Sequence, residues 1–439
     1  MNSVPVWVWM PEETEPILAG ELRIEGSHRG RFLYSTDFRV HPKATPLDPV
    51  SLRMAGAHGV PVNAPEGIPG VVMDACPAGY GEDLLQNLHG RDRTLTRIEL
   101  LELGAGDAAG AVAACADIDR KLRSQAHSLD ALKYHIEQLE AGQPRARAIK
   151  DMLGDMATSA GGDRPKATVE FDGRLWIAKM QARNDMPFLP AKEFVCMTLA
   201  GECDITVPDI RLETVADVAV LLVQRFDRHG DPKAPCKRLY ASAHTALQLQ
   251  PGTVAGAPSR SYLALADKLR TWSRHSDDVQ NDIRELWRRM CFNALVGNGD
   301  DHPRNHAFYR VKEAWRLAPA FDITPLVGYR GSLSMGVEIR GGTAVSVERL
   351  LEASLRMGYA SATEAAQWLI QAAGRVAQRW ERDLAAAGVT PEAISGVRSA
   401  FALSEQLSDS SESVLREAEG ISSPSRRRKS AIAQSHRAG

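Results

Sequence analysis

The stretch Phe292-Asn293-Ala294-Leu295-Val296-Gly297-Asn298-Gly299-Asp300-Asp301-His302-Pro303-Arg304-Asn305 constrains this chain more than any other. A helical apolar pattern runs from Val279 to Leu295 and ends at Gly297. The residues beyond that glycine are polar and tightly spaced. Asp300 and Asn305 are separated by four residues, and a second carboxylate, Asp322, arrives after the strand-like run Ala314 to Ala318. Carboxylates and a carboxamide in that order suit phosphoryl transfer, which asks for positioning and charge neutralisation more than for covalent participation by the protein.

The totals leave room for such a site. The chain has 439 residues, 44% hydrophobic and 25% charged, enough for a large core and too long for one ordinary compact domain. A net charge of −2 offers no general attraction to nucleic acid or to an anionic membrane, so a polyanion must meet a local patch. The six cysteines lie far apart with no CxxC pair, which argues against a zinc module or a disulfide framework and for thiols in a reducing cytoplasm. No basic segment leads into an apolar run at the N-terminus, and no window reaches 18 uninterrupted apolar residues. Neither a signal peptide nor a membrane span is expected, and the chain reads as cytoplasmic.

Residues 1–115 mix strand signals, Val4 to Trp9 and Arg31 to Tyr34, with turns and a few helices from Gly79 and Asp92 onward. They read as a β-rich module. The Gly-Ala run from Gly104 to Ala116 reads as a flexible loop, with a bare linker and a contact role both open. Residues 116–157 carry two helical patterns, Ile118 to Glu140 and Arg145 to Met156, as a linker.

A second part, 158–260, opens with Ser159-Ala160-Gly161-Gly162-Asp163-Arg164-Pro165-Lys166, a glycine-rich loop able to lay backbone N–H groups against phosphates or merely to connect. Asp172-Gly173 predicts a type I′ hairpin between Thr168-Phe171 and Arg174-Lys179. Lys179, at the end of the second strand, is either a phosphate ligand or a solvent-facing strand lysine. Ala191 to Ala200 reads as a helix in which Glu193 pairs with Lys179 or favours the helix N-terminus. Val218 to Gln224 is an unbroken apolar run, a strand buried on both faces. Residues 261–405 are dominated by helical patterns, and the serine-rich tail 406–439, with Arg426-Arg427-Arg428-Lys429, reads as disordered.

Glycine loop, strand lysine, helix glutamate, apolar strand, Asp-x4-Asn and a later Asp come in the order of the parts of a protein kinase. Asp300 would orient the attacking hydroxyl. Asn305 and Asp322 are hard oxygen donors suited to magnesium, and Lys179 with the Gly161-Gly162 loop would hold phosphates. A polar loop that merely caps helix ends is the plain alternative. A metallohydrolase using His302 and His306 is a sharper rival, although Pro303 opposes the helix that would place both on one face. No G-x-S-x-G elbow supports a triad.

Over residues 4–400 the chain resembles the HipA family of bacterial serine/threonine kinase toxins. The resemblance rests on Asp74 to Gly81, Ser159 to Lys166, Lys179, Glu193 to Ala200, Arg225 to Arg228, Asn293 to Asn305 and Phe321-Asp322. It implies an α+β, two-lobed protein-kinase-like fold with an N-terminal β-rich subdomain and a mainly helical C-terminal lobe. It implies ATP and Mg2+ as cofactors, Asp300 with His302 as catalytic residues, and Asn305 and Asp322 as metal ligands. It implies Gly161, Gly162, Lys166, Lys179, Gln224, Phe226 and Asp227 at the nucleotide, and autophosphorylation at Ser159. A HipB-like helix-turn-helix antitoxin is the implied partner, with DNA reached only through it, and the implied substrates lie in translation, notably aminoacyl-tRNA synthetases. Two places depart from the family pattern: Asp163-Arg164-Pro165 replaces the more usual Ala-Gln-Glu or Ala-Gln-Pro before the lysine, and Asp301 stands where glycine is common. A small-molecule kinase of the aminoglycoside-phosphotransferase type and a non-catalytic regulator bound to a DNA-binding partner remain as alternatives.

Overall fold

The protein is described by a computed structural model over residues 3–54, 58–90, 93–123, 126–129, 131, 166–181, 185–215, 218–273 and 277–422. Ser159, Gly161 and Gly162, the second linker helix and the basic run of the tail lie outside the described residues. The chain divides into two compact units, each discontinuous in sequence. One gathers 1–190, 208–251 and 307–318, and the other 191–207, 252–306 and 319–439. Each unit is thus assembled from separated stretches, and the N-terminal module shares a unit with the apolar strand.

Among the described residues the first unit holds four sheets. Strands β1 (Ser3–Trp9), β2 (Pro16–Gly26), β3 (Arg29–Tyr34), β4 (Val60–Val62) and β5 (Val112–Ala114) form a sheet in the order β4-β3-β2-β1-β5. Alternate residues of β1 are buried, the period expected of a strand with one face on a core. A second sheet comprises β6 (His127–Ser128), β7 (Lys166–Phe171), β8 (Arg174–Met180), β9 (Ile210–Val215) and β10 (Val218–Gln224), in the order β6-β7-β8-β10-β9. The hairpin forms where the sequence predicts it, with Asp172 at φ 51° and Gly173 at φ 67°, the two positive values a type I′ turn requires. The apolar run becomes β10, flanked on both sides, and Val220 and Leu222 join Val169, Trp176 and Ala178 in the sheet's core. Two smaller sheets pair β11 (Arg228–His229) with β12 (Cys236–Lys237), and β13 (Tyr240–Ser242) with β14 (Ala307–Val311) and β15 (Ala314–Leu317).

Two expectations for this unit and its neighbour are corrected. The Gly-Ala run is not a flexible loop: its end is strand β5, and its carbonyls hold buried cations. The serine-rich segment after residue 406 is helical through Ser411–Ser422, where Val414, Ala418 and Ile421 make a buried stripe at four- and three-residue spacing. Sparse apolar residues among serines and glutamates hide that period.

The second unit is helical. Helices Tyr262–Trp272, Val347–Ser354, Ala362–Ala386 and Pro391–Val397 each start behind a Ser or Thr (Ser261, Ser346, Ser361, Thr390) whose oxygen accepts an N–H of the first turn. Val279–Leu295 forms as its periodicity predicts, with Ile283, Leu286, Trp287 and Met290 buried. Trp287 donates to the Leu350 carbonyl at 2.7 Å and meets Trp368 edge-on, so the helix that feeds the polar loop is fixed from several sides. Among the described residues no helix is long and apolar enough to cross a membrane.

Candidate active site

Helix Val279–Leu295 closes on Gly297, whose φ of 60° and tight surroundings both exclude a side chain, since a Cβ there would stand 2.6 Å from the Ala400 Cα. The loop then turns on itself. Asn298 N–H donates to the Asn293 carbonyl at 2.8 Å, and the Asn298 carboxamide donates to Asn293 Oδ1 at 3.1 Å. Asn293 in turn donates to Tyr262 Oη at 2.9 Å, and Tyr262 donates to Asp301 Oδ2 at 2.5 Å. Asp301 is fully buried, and its other oxygen accepts the Ser334 N–H at 2.6 Å. Burial pushes its carboxyl up to about 7 despite these donors. Asp301, which departs from the family pattern, is thus the anchor of the loop, a role sequence reasoning did not find.

Asp300, next along, is exposed. Its carbonyl accepts the His302 N–H at 2.8 Å and the Asn305 carboxamide N–H at 2.9 Å. Asn305, 8% exposed, therefore commits its nitrogen to the loop and turns its oxygen the other way. Asp322 stands at φ 62°, a left-handed backbone uncommon for aspartate that costs on the order of 1 kcal/mol. It is tied to the same loop: Asn298 reaches the Asp322 carbonyl at 3.5 Å, and Leu326 N–H donates to the Gly297 carbonyl at 2.9 Å. Asp300, Asn305 and Asp322 are so brought together by backbone links within one unit.

The two histidines part company. His302 is half-buried at the start of the short turn Pro303–Asn305, whereas His306 is buried with its ring edge-on to Tyr262 at 5.2 Å. Burial, then the nearby Arg289 charge, hold the His306 imidazole down to about 3, so it is a neutral core group and not a partner of His302 around a metal.

The expected nucleotide residues lie in the first unit. Lys166 and Lys179 are directly opposite on β7 and β8, which puts both amines on one face of the sheet. Gln224 ends β10 opposite Trp176, and Phe226, half-buried, packs against Tyr240 at 6.4 Å and edge-on to Tyr309 at 5.7 Å. Glu193 is 3% exposed in helix Leu189–Glu202, which starts two residues earlier than expected. It sits beyond the first turn, so favouring the helix N-terminus is not its role.

Asp227, expected near an adenine, lies in a buried cluster of charges. It is 5% exposed and accepts from Arg225 Nε at 3.0 Å and Nη2 at 2.8 Å, Arg228 Nη1 at 2.9 Å and Gly110 N–H at 2.8 Å. The flanking arginine charges hold its carboxyl well below the usual range against the opposing effect of burial. Arg225 also donates to the Asp107 carbonyl and to Thr168 Oγ1, Arg228 to Ala108 and Gly110 carbonyls, Lys237 to Gly106 and Lys121 to Leu101. The Gly-Ala run is a set of carbonyls arranged around the buried side chains of Arg225, Arg228 and Lys237, and of Lys121, which reaches it at Gly104. Its glycines allow the close approach: a Cβ on Gly106 would overlap the Lys121 carbonyl.

The profile of a family described as the HipA-like C-terminal domain matches residues 158–380, half of the chain. Relatives include a Sinorhizobium fredii protein bearing the provisional name of kinase, Y4dM, 27% identical over 163 residues, which are 36% of this chain and 39% of that protein. A Haemophilus influenzae protein, also provisionally named a kinase, is 26% identical over 151 residues, 33% of this chain and 43% of its own length. The chain spans about two-fifths of the length of these curated relatives. Among solved structures it superposes on HipA from a Shewanella oneidensis HipA, HipB and operator DNA complex with a TM-score of 0.63 at 17% identity, covering 95% of this chain and 96% of that one. That likeness bears out the α+β, two-lobed kinase-like fold. With the family profile resting on the same stretch that carries the polar loop, the chain belongs to the HipA-like C-terminal domain family.

Proposed function

We propose that this chain is an ATP-dependent protein serine/threonine kinase that acts as the toxin of a HipBA-like pair. The observation that supports it most is the polar loop itself: an exposed Asp300 on a backbone fixed by Asn305, with Asp322 held beside it in a strained conformation. A buried clamp under an exposed carboxylate is the arrangement a positioned proton acceptor needs.

In this reading Asp300 accepts the proton of a serine or threonine hydroxyl as its oxygen forms a bond to the γ-phosphorus and the bond from that phosphorus to the β-phosphate oxygen breaks. Asn305 Oδ1 and the Asp322 carboxylate fit the hard-oxygen preference of Mg2+ and would hold it; bound there, the ion supplies neutralising charge to the phosphates. Lys166 and Lys179, on one sheet face, supply further positive charge, and Gln224 and Phe226 offer a polar end and an aromatic face to the base. His302 supports the loop through its N–H to the Asp300 carbonyl.

The Shewanella neighbour was solved with HipB and operator DNA, and a HipB-like helix-turn-helix antitoxin is the partner proposed for this chain, with DNA reached through it. Ser159, ahead of Gly161 and Gly162, is the proposed autophosphorylation site, and a translation protein such as an aminoacyl-tRNA synthetase, in the cytoplasm, is the proposed substrate. The test is phosphoproteomic mass spectrometry of a cell lysate treated with ATP, Mg2+ and either the wild-type chain or Asp300→Asn. New phosphoserine or phosphothreonine, on Ser159 and on a translation protein, should appear only with wild type. Small alcohols phosphorylated with no protein modified would replace the reading with a small-molecule kinase.

A further inference from the structure

The β11–β12 ribbon carries a side-chain cluster that the polar loop does not use. His229 and Cys236 are direct partners across the two antiparallel strands, which places imidazole and thiol side by side on one face. Glu12 joins them from the turn after β1, 217 residues away in sequence, on a left-handed backbone with φ 63°. Its two carboxylate oxygens stand 3.1 and 3.0 Å from His229 Nε2. One donor atom from each of the three residues lies within 4.8 Å of the others. Among the described residues this is the only such grouping of His, Cys, Asp and Glu.

We propose that Glu12, His229 and Cys236 form a site for a zinc-type divalent cation. The donor set decides the class. Sulfur, imidazole nitrogen and one carboxylate suit Zn2+ and its borderline-soft neighbours, whereas Mg2+ and Ca2+ take oxygen. In a tetrahedral zinc site the ligand atoms stand roughly 3.4 to 3.7 Å apart, so the cluster needs to close by about 1 Å, within the reach of side-chain rotation. Thiolate and carboxylate together balance the dication. Binding replaces the Cys236 S–H bond with a metal–sulfur bond and releases that proton to solvent. A cavity bordered by Glu12, His229, Lys237 and Arg238 opens beside the cluster, and a water from it would supply the fourth ligand. The ion would staple the turn after β1 to the β11–β12 ribbon, adding to the Glu12–His229 contact and to the Lys237 amine seated over the Trp9 ring.

The site is independent of the kinase reading and is tested without it. The full chain is titrated with Co2+ as a spectroscopic probe and with Zn2+ in competition against a chromophoric chelator. Wild type should bind one equivalent and develop a thiolate-to-cobalt charge-transfer band. Cys236→Ser should lose that band, and Cys236→Ser and His229→Gln should each weaken Zn2+ binding by roughly 100-fold or more, the scale already lost when only an outer-shell partner of a ligand is removed. Glu12 is exposed, so Glu12→Gln keeps the fold and should still show the sulfur band with weaker affinity. A wild-type chain without the band, a band that survives Cys236→Ser, or Zn2+ affinity unchanged in all three variants overturns the proposal.

Discussion

Replacing Asp227 with asparagine tests the placement of that residue as a structural hub. The carboxylate receives four hydrogen bonds, three of them from Arg225 and Arg228, which are each 5% exposed. The only other acid near Arg225 in an ion pair is Asp107, at 3.8 Å, among the described residues. Asparagine keeps the volume but leaves two buried guanidinium groups facing one more distant carboxylate. Removing one partner of a buried pair costs about 3–5 kcal/mol, because the remaining charge is left uncompensated. In a unit of this size that lowers the melting temperature by on the order of 10 °C. The wild-type hub also has a pH signature. The folded carboxyl is depressed, so its stabilisation is present above 3.8, its ordinary value, and is lost as pH falls below it; Asp227→Asn should flatten that acid limb. Thermal and urea unfolding of both proteins measure the effect. A loss under about 1 kcal/mol, or a selective loss of ATP binding at unchanged stability, would refute the hub and return Asp227 to the nucleotide.

Asp322→Gly, which keeps a residue at ease with the left-handed backbone at φ 62°, should abolish phosphoryl transfer in a single-turnover assay. Transfer at the wild-type rate in that variant would refute its role at the metal. Asp301→Asn should change the pH dependence of stability. The Asp301 carboxyl is raised from 3.8 to about 7, so its contribution favours folding below that window and is lost as pH rises through it, by about 4 kcal/mol in all. His306, lowered from 6.5 to about 3, has the opposite slope, favouring folding above 6.5 and losing that as pH falls, so the two offset each other in wild type. Urea unfolding of Asp301→Asn between about pH 4 and 7 should therefore show stability rising with pH; a profile parallel to wild type would place the Asp301 proton elsewhere. Gly106→Ala should destabilise by more than about 2 kcal/mol by pushing the Lys121 carbonyl away, and a neutral result in thermal unfolding would mean that the run can move.

Where local chemistry decides structure, the sequence could be read. Asp172-Gly173 dictates its turn, the Val218 to Gln224 run has only a doubly covered strand to become, and the period from Val279 to Leu295 marks a helix whose end presents Asp300. The expected residues of the polar loop could be named because their spacing is local. What could not be read depends on distant partners. Asp301 looks like a spare acid until Tyr262 and Ser334 close on it, and Asp227 looks like a ligand until Arg225, Arg228 and Gly110 surround it. The Gly-Ala run misleads for the same reason: glycine signals freedom in isolation and close approach when a lysine or arginine is packed against its carbonyls. No local pattern links Glu12 to a ribbon more than 200 residues on.

On the proposed reading, Asp300 serves phosphoryl transfer from a loop whose scaffold does not depend on its side chain. Its exposed side chain should be replaceable without loss of fold. The direct measurement is a single-turnover assay with γ-labelled ATP and Mg2+, run on wild type and Asp300→Asn at matched ATP occupancy, with thermal unfolding of both. The account predicts labelled protein from wild type, a loss of at least about 100-fold in the variant, as expected when a general base is removed, and equal melting temperatures. Label unchanged in a folded, ATP-bound Asp300→Asn would contradict it.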